Sequence, residues 1–124
     1  MALDHAQILA ILQAKPGAEA GYPFDETARV YKVGGKMFAL VAEEADPLRL
    51  NLKCDPQDAL ALRRQHAAIL PGYHMNKRHW NTLVLDGSLP DSLVRELIDH
   101  SYELVVAGLP KTMREEVGRM KDEG

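Results

Sequence analysis

Cysteine is almost missing from this chain. Cys54 stands alone, so no internal disulfide can form, which fits a reducing compartment. Long apolar runs are missing as well; none approaches the ~20 residues that a membrane span requires. The opening Met1-Ala2-Leu3-Asp4-His5 has neither a basic nor an apolar stretch, so no secretion signal is expected. These absences lead to the expectation of a cytoplasmic protein with no membrane partner. Excess positive charge is also lacking: the formal net charge is -3 and the isoelectric point about 5.9. Domains that grip nucleic acid by neutralising phosphates usually have values above ~9. Any such grip must here come from a local patch on an acidic background. The motifs G-x-x-x-x-G-K-[ST], G-x-G-x-x-G and G-x-S-x-G are absent, as are CxxC and HExxH. No catalytic residue, cofactor or metal is therefore expected, and the chain is read as something other than an enzyme.

What is present describes one globular unit. The 124 residues suit one domain, and 46% hydrophobic with 27% charged residues is a folded composition. Asp4 caps a first helix, with Gln7 three residues on as in a capping box, and Ile8, Ile11 and Leu12 on one face. Lys15-Pro16-Gly17 ends it. An edge or irregular strand over 20–24 contains Pro23. Residues 28–42 form a β-hairpin about Gly34-Gly35, where both glycines can take the positive φ of a type I′ turn. Leu48, Leu50 and Leu52 alternate with Arg49, Asn51 and Lys53, which predicts a strand with one buried and one wet face. Asp55-Pro56 starts a second helix that fades near His66. No clean period covers 69–81. A strand over 80–85 and a helix from Pro90 to Ala107 follow. That helix has a stripe of Leu93, Leu97, Ser101 and Leu104, with Val94, Ile98 and Val105 beside it and Gly108 as its C′ residue. The boundaries are one domain over 1–110 and a charged C-terminal tail over 111–124, either loose or a frayed short helix. Helices do not alternate with every strand, so the fold class is α+β: an antiparallel β-sheet with helices packed on one face.

Several stretches, in order, carry a resemblance. They are Tyr22-Pro23-Phe24, Val33-Gly34-Gly35-Lys36-Met37-Phe38, Leu52-Lys53-Cys54-Asp55-Pro56 and His100-Ser101-Tyr102-Glu103-Leu104-Val105. The most specific runs from Pro71 through Tyr73-His74-Met75-Asn76-Lys77-Arg78-His79-Trp80-Asn81 to Thr82. Together these resemble the MmcQ/YjbR family over about 4–111. The resemblance implies a frataxin-like (CyaY-like), "double wing" arrangement and a DNA-binding label. It brings no enzymatic reaction. Frataxin binds iron through an acidic ridge, whereas the first helix here offers only Asp4, so an iron role is not implied.

The loop 73–81 is the richest candidate site. Lys77 and Arg78 are adjacent cations, and His74 and His79 flank them. Tyr73 and Trp80 offer flat faces on which bases stack, and Asn76 and Asn81 can bond base edges or phosphates. Lys36 at the hairpin tip, with Arg29, Lys32 and Lys53, could extend the patch. The structural alternative has Trp80 entering the core and the asparagines tying the loop to backbone groups. Two functions follow from the same loop: a weak DNA-binding module, or a module for a protein or a small anionic ligand. Cys54 falls in phase with the leucines and reads as inert core. His66, His74, His79 and His100 lack a strong ligand spacing, and Glu43, Glu44 and Asp46 read as a solvated turn.

Overall fold

A capping box opens the chain. In the computed structural model, which describes residues 3–72 and 75–123, helix α1 (His5–Gln13) begins where Asp4 accepts from the Gln7 N–H. The Gln7 side chain in turn accepts from the Asp4 N–H. Ile8 and Leu12 are buried, as their spacing predicts. β1 (Glu19–Gly21) is a short edge strand. β2 (Ala28–Val33) and β3 (Lys36–Ala42) form the expected hairpin, with Gly34 at φ 58° and Gly35 at φ 79°. Then come β4 (Leu48–Lys53), α2 (Pro56–Gln65), β5 (Ile69–Pro71), β6 (Trp80–Leu85), α3 (Asp91–Ala107) and α4 (Lys111–Glu123). The sheet order is β1-β2-β3-β4-β6-β5, and every pairing is antiparallel. The α+β class and the helices on one face agree with the sequence.

Residues directly opposite across strands share a face. One face carries Tyr31, Ala39, Val41, Leu50, Leu52 and Leu83 into the helical layer. A bulge between Tyr31 and Lys32 adds Phe38 to it. The Phe38 ring lies edge-on to Tyr102 of α3, with centroids 5.3 Å apart.

Where the β3–β4 ladder stops at the pair Ala39–Leu52, α3 enters the gap. The fully buried Ser101 hydroxyl donates to the Phe38 carbonyl (2.6 Å) and accepts from the Lys53 N–H (2.9 Å). This anchor sets the helix rotation. Val94, Ile98, Tyr102 and Val105 stand seven and three residues before Ser101 and one and four after it, so they fall on the buried side. The structure buries Val94, Ile98 and Val105, expected beside the stripe, more deeply than Leu93, Leu97 and Leu104 of the stripe itself. Of the stripe, only Ser101 is fully buried, and Leu93 and Leu97 flank the core.

Three further expectations are corrected. The second face of β4 is wet at Arg49 but closed at Asn51, which is 4% exposed. Gly108 is the C-cap at φ −86°, in ordinary helical conformation, and not a left-handed C′ residue. β5 lies within a stretch where the sequence shows no period. Of the two alternatives for 111–124, the helical one matches α4, whose Val117 joins the core.

Replacing Ser101 with Ala strips partners from two buried backbone groups, each worth about 1–3 kcal/mol. Denaturant unfolding of S101A is expected to show a loss of roughly 2–4 kcal/mol. A loss under about 0.5 kcal/mol would mean that water or a shifted strand replaces the hydroxyl.

Candidate binding cleft

The helices leave the other face of the sheet to the loops. Its floor is laid in rows by the strand register. Ala28, Ala42 and Arg49 are successive cross-strand neighbours, and Leu40, Asn51 and Thr82 form the next row. Two loops rise on either side. Phe24 and Asp25 come from the β1–β2 connection, and Met75 and Asn76 from the β5–β6 connection. With Met37 and Trp80 they enclose an open cleft of about 510 Å³. That is within the size range of small-ligand sites, roughly 300–1,000 Å³. Phe24 is 69% exposed and stands at the rim of the cleft.

The polar groups of the cleft are few. Thr82 Oγ1 donates to Asn51 Oδ1, and Asn51 Nδ2 makes a long contact (3.4 Å) to the Leu40 carbonyl. Asp25 Oδ1 accepts from Thr27 Oγ1, Thr27 N–H and Ala28 N–H. Those bonds, led by the hydroxyl, hold its carboxyl below the usual carboxylate range. Arg49 has no carboxylate within ion-pair reach among the described residues. Lys32 and Lys53 alternate in phase with the cleft residues and are also unpaired in this sense. The open face thus carries three cations, set against the Asp25 carboxylate in the cleft and Glu19 opposite Lys32.

The candidate loop divides between this face and the opposite one. Trp80 and Asn76 line the cleft. Asn76 Oδ1 also accepts from the Arg78 N–H (2.9 Å), and its carbonyl accepts from the Trp80 N–H (2.9 Å), so it shapes the turn. Asn81 points the other way. It is 2% exposed and accepts from Arg63 Nε of α2 at 2.7 Å, so it faces the helical layer. Lys77 turns its ammonium back to the Gly72 carbonyl (3.4 Å). Arg78 is exposed. His79 is partly buried, and its carbonyl accepts from the Cys54 N–H (2.7 Å). Lys36 is exposed at the hairpin tip, outside the cleft. Tyr73 and His74 lie outside the described residues. Arg29 is drawn to Glu43 (3.9 Å), which also accepts from the Tyr22 hydroxyl, and its register opposite Val41 puts it on the helical face, away from the cleft.

Two residues position the loop in roles that sequence reading did not assign to them. Arg63 reaches from α2 and donates to Asn81, to the Lys77 carbonyl and to the Trp80 carbonyl (3.2 Å). Gly72 lets β5 close on β6, since a Cβ there would stand 2.7 Å from the Trp80 Cβ. The cleft itself had one sequence signal. Met37 to Ala42 is apolar in both phases, as for a strand covered on both faces.

Cys54 is buried at the foot of a separate groove of about 350 Å³ between α2 and α3, beside His100 and Asp58. Burial, and then the carboxylates of Asp58 and Asp55, push its thiol up to about 11. His100 Nε2 is engaged as an acceptor for the Asp55 N–H (3.3 Å). No group of three or more metal-ligating side chains gathers among the described residues.

Two outcomes follow. Iodoacetamide at pH 8 is expected to label Cys54 far more slowly in the native protein than in denaturant, because the thiolate is the nucleophile. The raised thiol also holds its proton after the unfolded chain releases its own. Stability should therefore fall as pH rises from ~9 towards 11, less steeply in C54A. Fast native labelling would contradict the buried placement. Arg63→Lys keeps the charge but loses the planar fork. It is expected to cost about 1–2 kcal/mol and to broaden the Trp80 indole resonance, whereas a sharp, unmoved signal would contradict a positioning role.

Relatives share this architecture. The YjbR family model matches residues 13–104. The Escherichia coli K12 protein named "Uncharacterized protein YjbR" is 42% identical over 109 residues, covering 88% of this chain and 92% of that protein. "Uncharacterized protein YbdF" of E. coli O157:H7 is 42% identical over 96 residues, covering 77% and 79% of the two chains. The crystal structure of the Deinococcus radiodurans protein DR2400, with domain DUF419, superposes with a TM-score of 0.86 at 41% identity, over 91% of this chain and 86% of that one. A Pseudomonas syringae crystal structure gives 0.71 at 28% identity, over 82% and 98%. The signature loop, the hairpin and the six-stranded sheet thus have one explanation: the chain belongs to the YjbR family.

Proposed function

We propose that the protein is a non-catalytic binding module whose ligand, a flat, largely apolar small molecule with an anionic group, seats in the cleft on the open face of the sheet. The observation that carries this reading is the cleft: about 510 Å³, walled by Phe24, Met37, Met75 and Trp80, with Arg49 on its floor. Aromatic faces and thioethers make an adaptable apolar surface. A few placed polar groups on an apolar wall are what small-ligand sites use for orientation.

DNA binding remains the second reading, and the exposed Arg78 beside Lys77 favours it. Two features weaken it. Asn81 and the Lys77 ammonium are engaged within the fold, and the net charge of -3 slows approach to a polyanion.

The two readings separate in one titration series. Trp80 is the only tryptophan and lines the cleft, so energy transfer from it to the anionic aromatic dye 1-anilinonaphthalene-8-sulfonate reports occupancy there. A saturable signal with a shallow salt slope is expected. Mixed-sequence duplex DNA is titrated in parallel at low and moderate salt, with a Lys77→Ala/Arg78→Ala variant alongside. A steep salt slope lost in that variant, with no saturable dye signal, would transfer the function to the loop and DNA.

A further inference from the structure

The cleft is asymmetric along its floor, and the asymmetry points to a ligand class. At one side Asp25 belongs to the β1–β2 connection beside Ala28, and its Oδ1 is already occupied by Thr27 and Ala28. Across the row Ala28–Ala42–Arg49 the register moves two strands, or about 10 Å at the usual strand spacing, and ends at the guanidinium. Small side chains at Ala28 and Ala42 leave this path flat. Arg49 is exposed and has no carboxylate partner among the described residues. A guanidinium without a partner presents a planar fork that matches a carboxylate with two parallel hydrogen bonds.

A second observation points the same way. Asn51 is 4% exposed and lines the cleft in the row adjoining Arg49. Its Oδ1 is taken by Thr82. Its Nδ2 carries two hydrogens, and one long contact to the Leu40 carbonyl accounts for at most one of them. Buried amide hydrogens ordinarily have partners. A donor left over in the floor of an apolar cleft is the arrangement that fixes a ligand's orientation.

We propose that the cleft selects flat aromatic carboxylates, with Arg49 pairing with the carboxylate, the ring lying over the alanine floor between Trp80 and Phe24, and the spare Asn51 N–H facing the ligand. This rests on the reading of the cleft as a small-ligand site. It adds a chemical class and the residue that discriminates it. Arg49 acts here as a specificity residue, and the apolar walls supply most of the affinity.

The test uses 2-naphthoate and its uncharged near-isostere 2-naphthalenemethanol as probes. The single tryptophan gives one indole N–H cross-peak in a ¹H–¹⁵N spectrum, and its shift follows each titration. 2-Naphthoate is expected to bind the wild-type protein about five- to tenfold more tightly than the alcohol, as one charge-assisted pair in a partly desolvated site allows. Arg49→Ala should abolish that preference, bringing the affinity for 2-naphthoate to that for the alcohol. Lys53→Ala should retain it. If both probes move the indole peak with equal affinity, carboxylate selection is overturned while the cleft stands as a site. If Lys53→Ala erases the preference as fully as Arg49→Ala, the selectivity belongs to the general field of the face, and the assignment to Arg49 fails. If neither probe moves the peak, the small-ligand reading falls, and this inference with it.

Discussion

The hydroxyl of Ser101 joins one helix to two strands, and much of the molecule follows from where it sits. A serine inside a helix ordinarily competes for backbone groups and weakens the helix slightly. Here it satisfies the Phe38 carbonyl and the Lys53 N–H at the point where β3 and β4 part. The bond fixes the rotation of α3 and therefore which of its side chains are buried. It also seats α3 across the middle of the sheet, where Tyr102 meets the Phe38 ring that the bulge has turned inward. With α1, α2 and α4 contributing to the same layer, one face of the sheet is covered by helices and the other is left to loops.

That division explains how a small chain can hold an apolar cleft open. A sheet face with Leu40, Ala42 and Trp80 on it is hydrophobic enough to collapse unless its walls are held apart. The wall at Trp80 is held from behind. Arg63 bonds the loop carbonyls through the edge of the sheet, and Gly72 brings β5 against the Trp80 backbone. The opposite wall stands on Asp25, whose carboxylate ties its own turn. Neither wall depends on a ligand for its shape, which is the preorganisation that limits the entropy cost of binding.

Much of the architecture was legible in the sequence because local chemistry decided it. The capping box at Asp4, the two glycines of the hairpin, the Asp55-Pro56 helix start and the alternating leucines of β4 each fixed an element where it was expected. What was not legible depended on distant partners. β5 has three residues and no period of its own, and it exists because β6 offers it an edge. The α3 stripe centres on Val94, Ile98 and Val105, which the sequence places beside the expected one, because the Ser101 hydroxyl anchors that helix to the strands. The wet face assigned to β4 came from the alternation of Arg49, Asn51 and Lys53, and it fails only at Asn51. Its amide is instead enclosed beside Thr82 by the two loops. Of the candidate site, the loop was found and the cleft was not, since no spacing rule shows that residues near 24, 40, 49 and 80 meet on one face.

The sharpest motif in the sequence, Asn76-Lys77-Arg78-His79-Trp80-Asn81, reads as a cluster of binding groups when taken in line. In three dimensions it is a turn running into a strand, and the strand's alternation divides it. Trp80 goes to the cleft and Asn81, its neighbour, to the helical layer. Asn76 serves both purposes, closing the turn with its Oδ1 and lining the cleft. The Lys77 carbonyl is as much a structural contact as its ammonium, since Arg63 bonds the former and the latter returns to Gly72. The motif thus combines one aromatic wall with the parts that hold that wall in place. A sequence specific enough to mark a family need not consist of ligand-contacting groups. It needs only to build, residue by residue, the support that holds the Trp80 ring at the cleft.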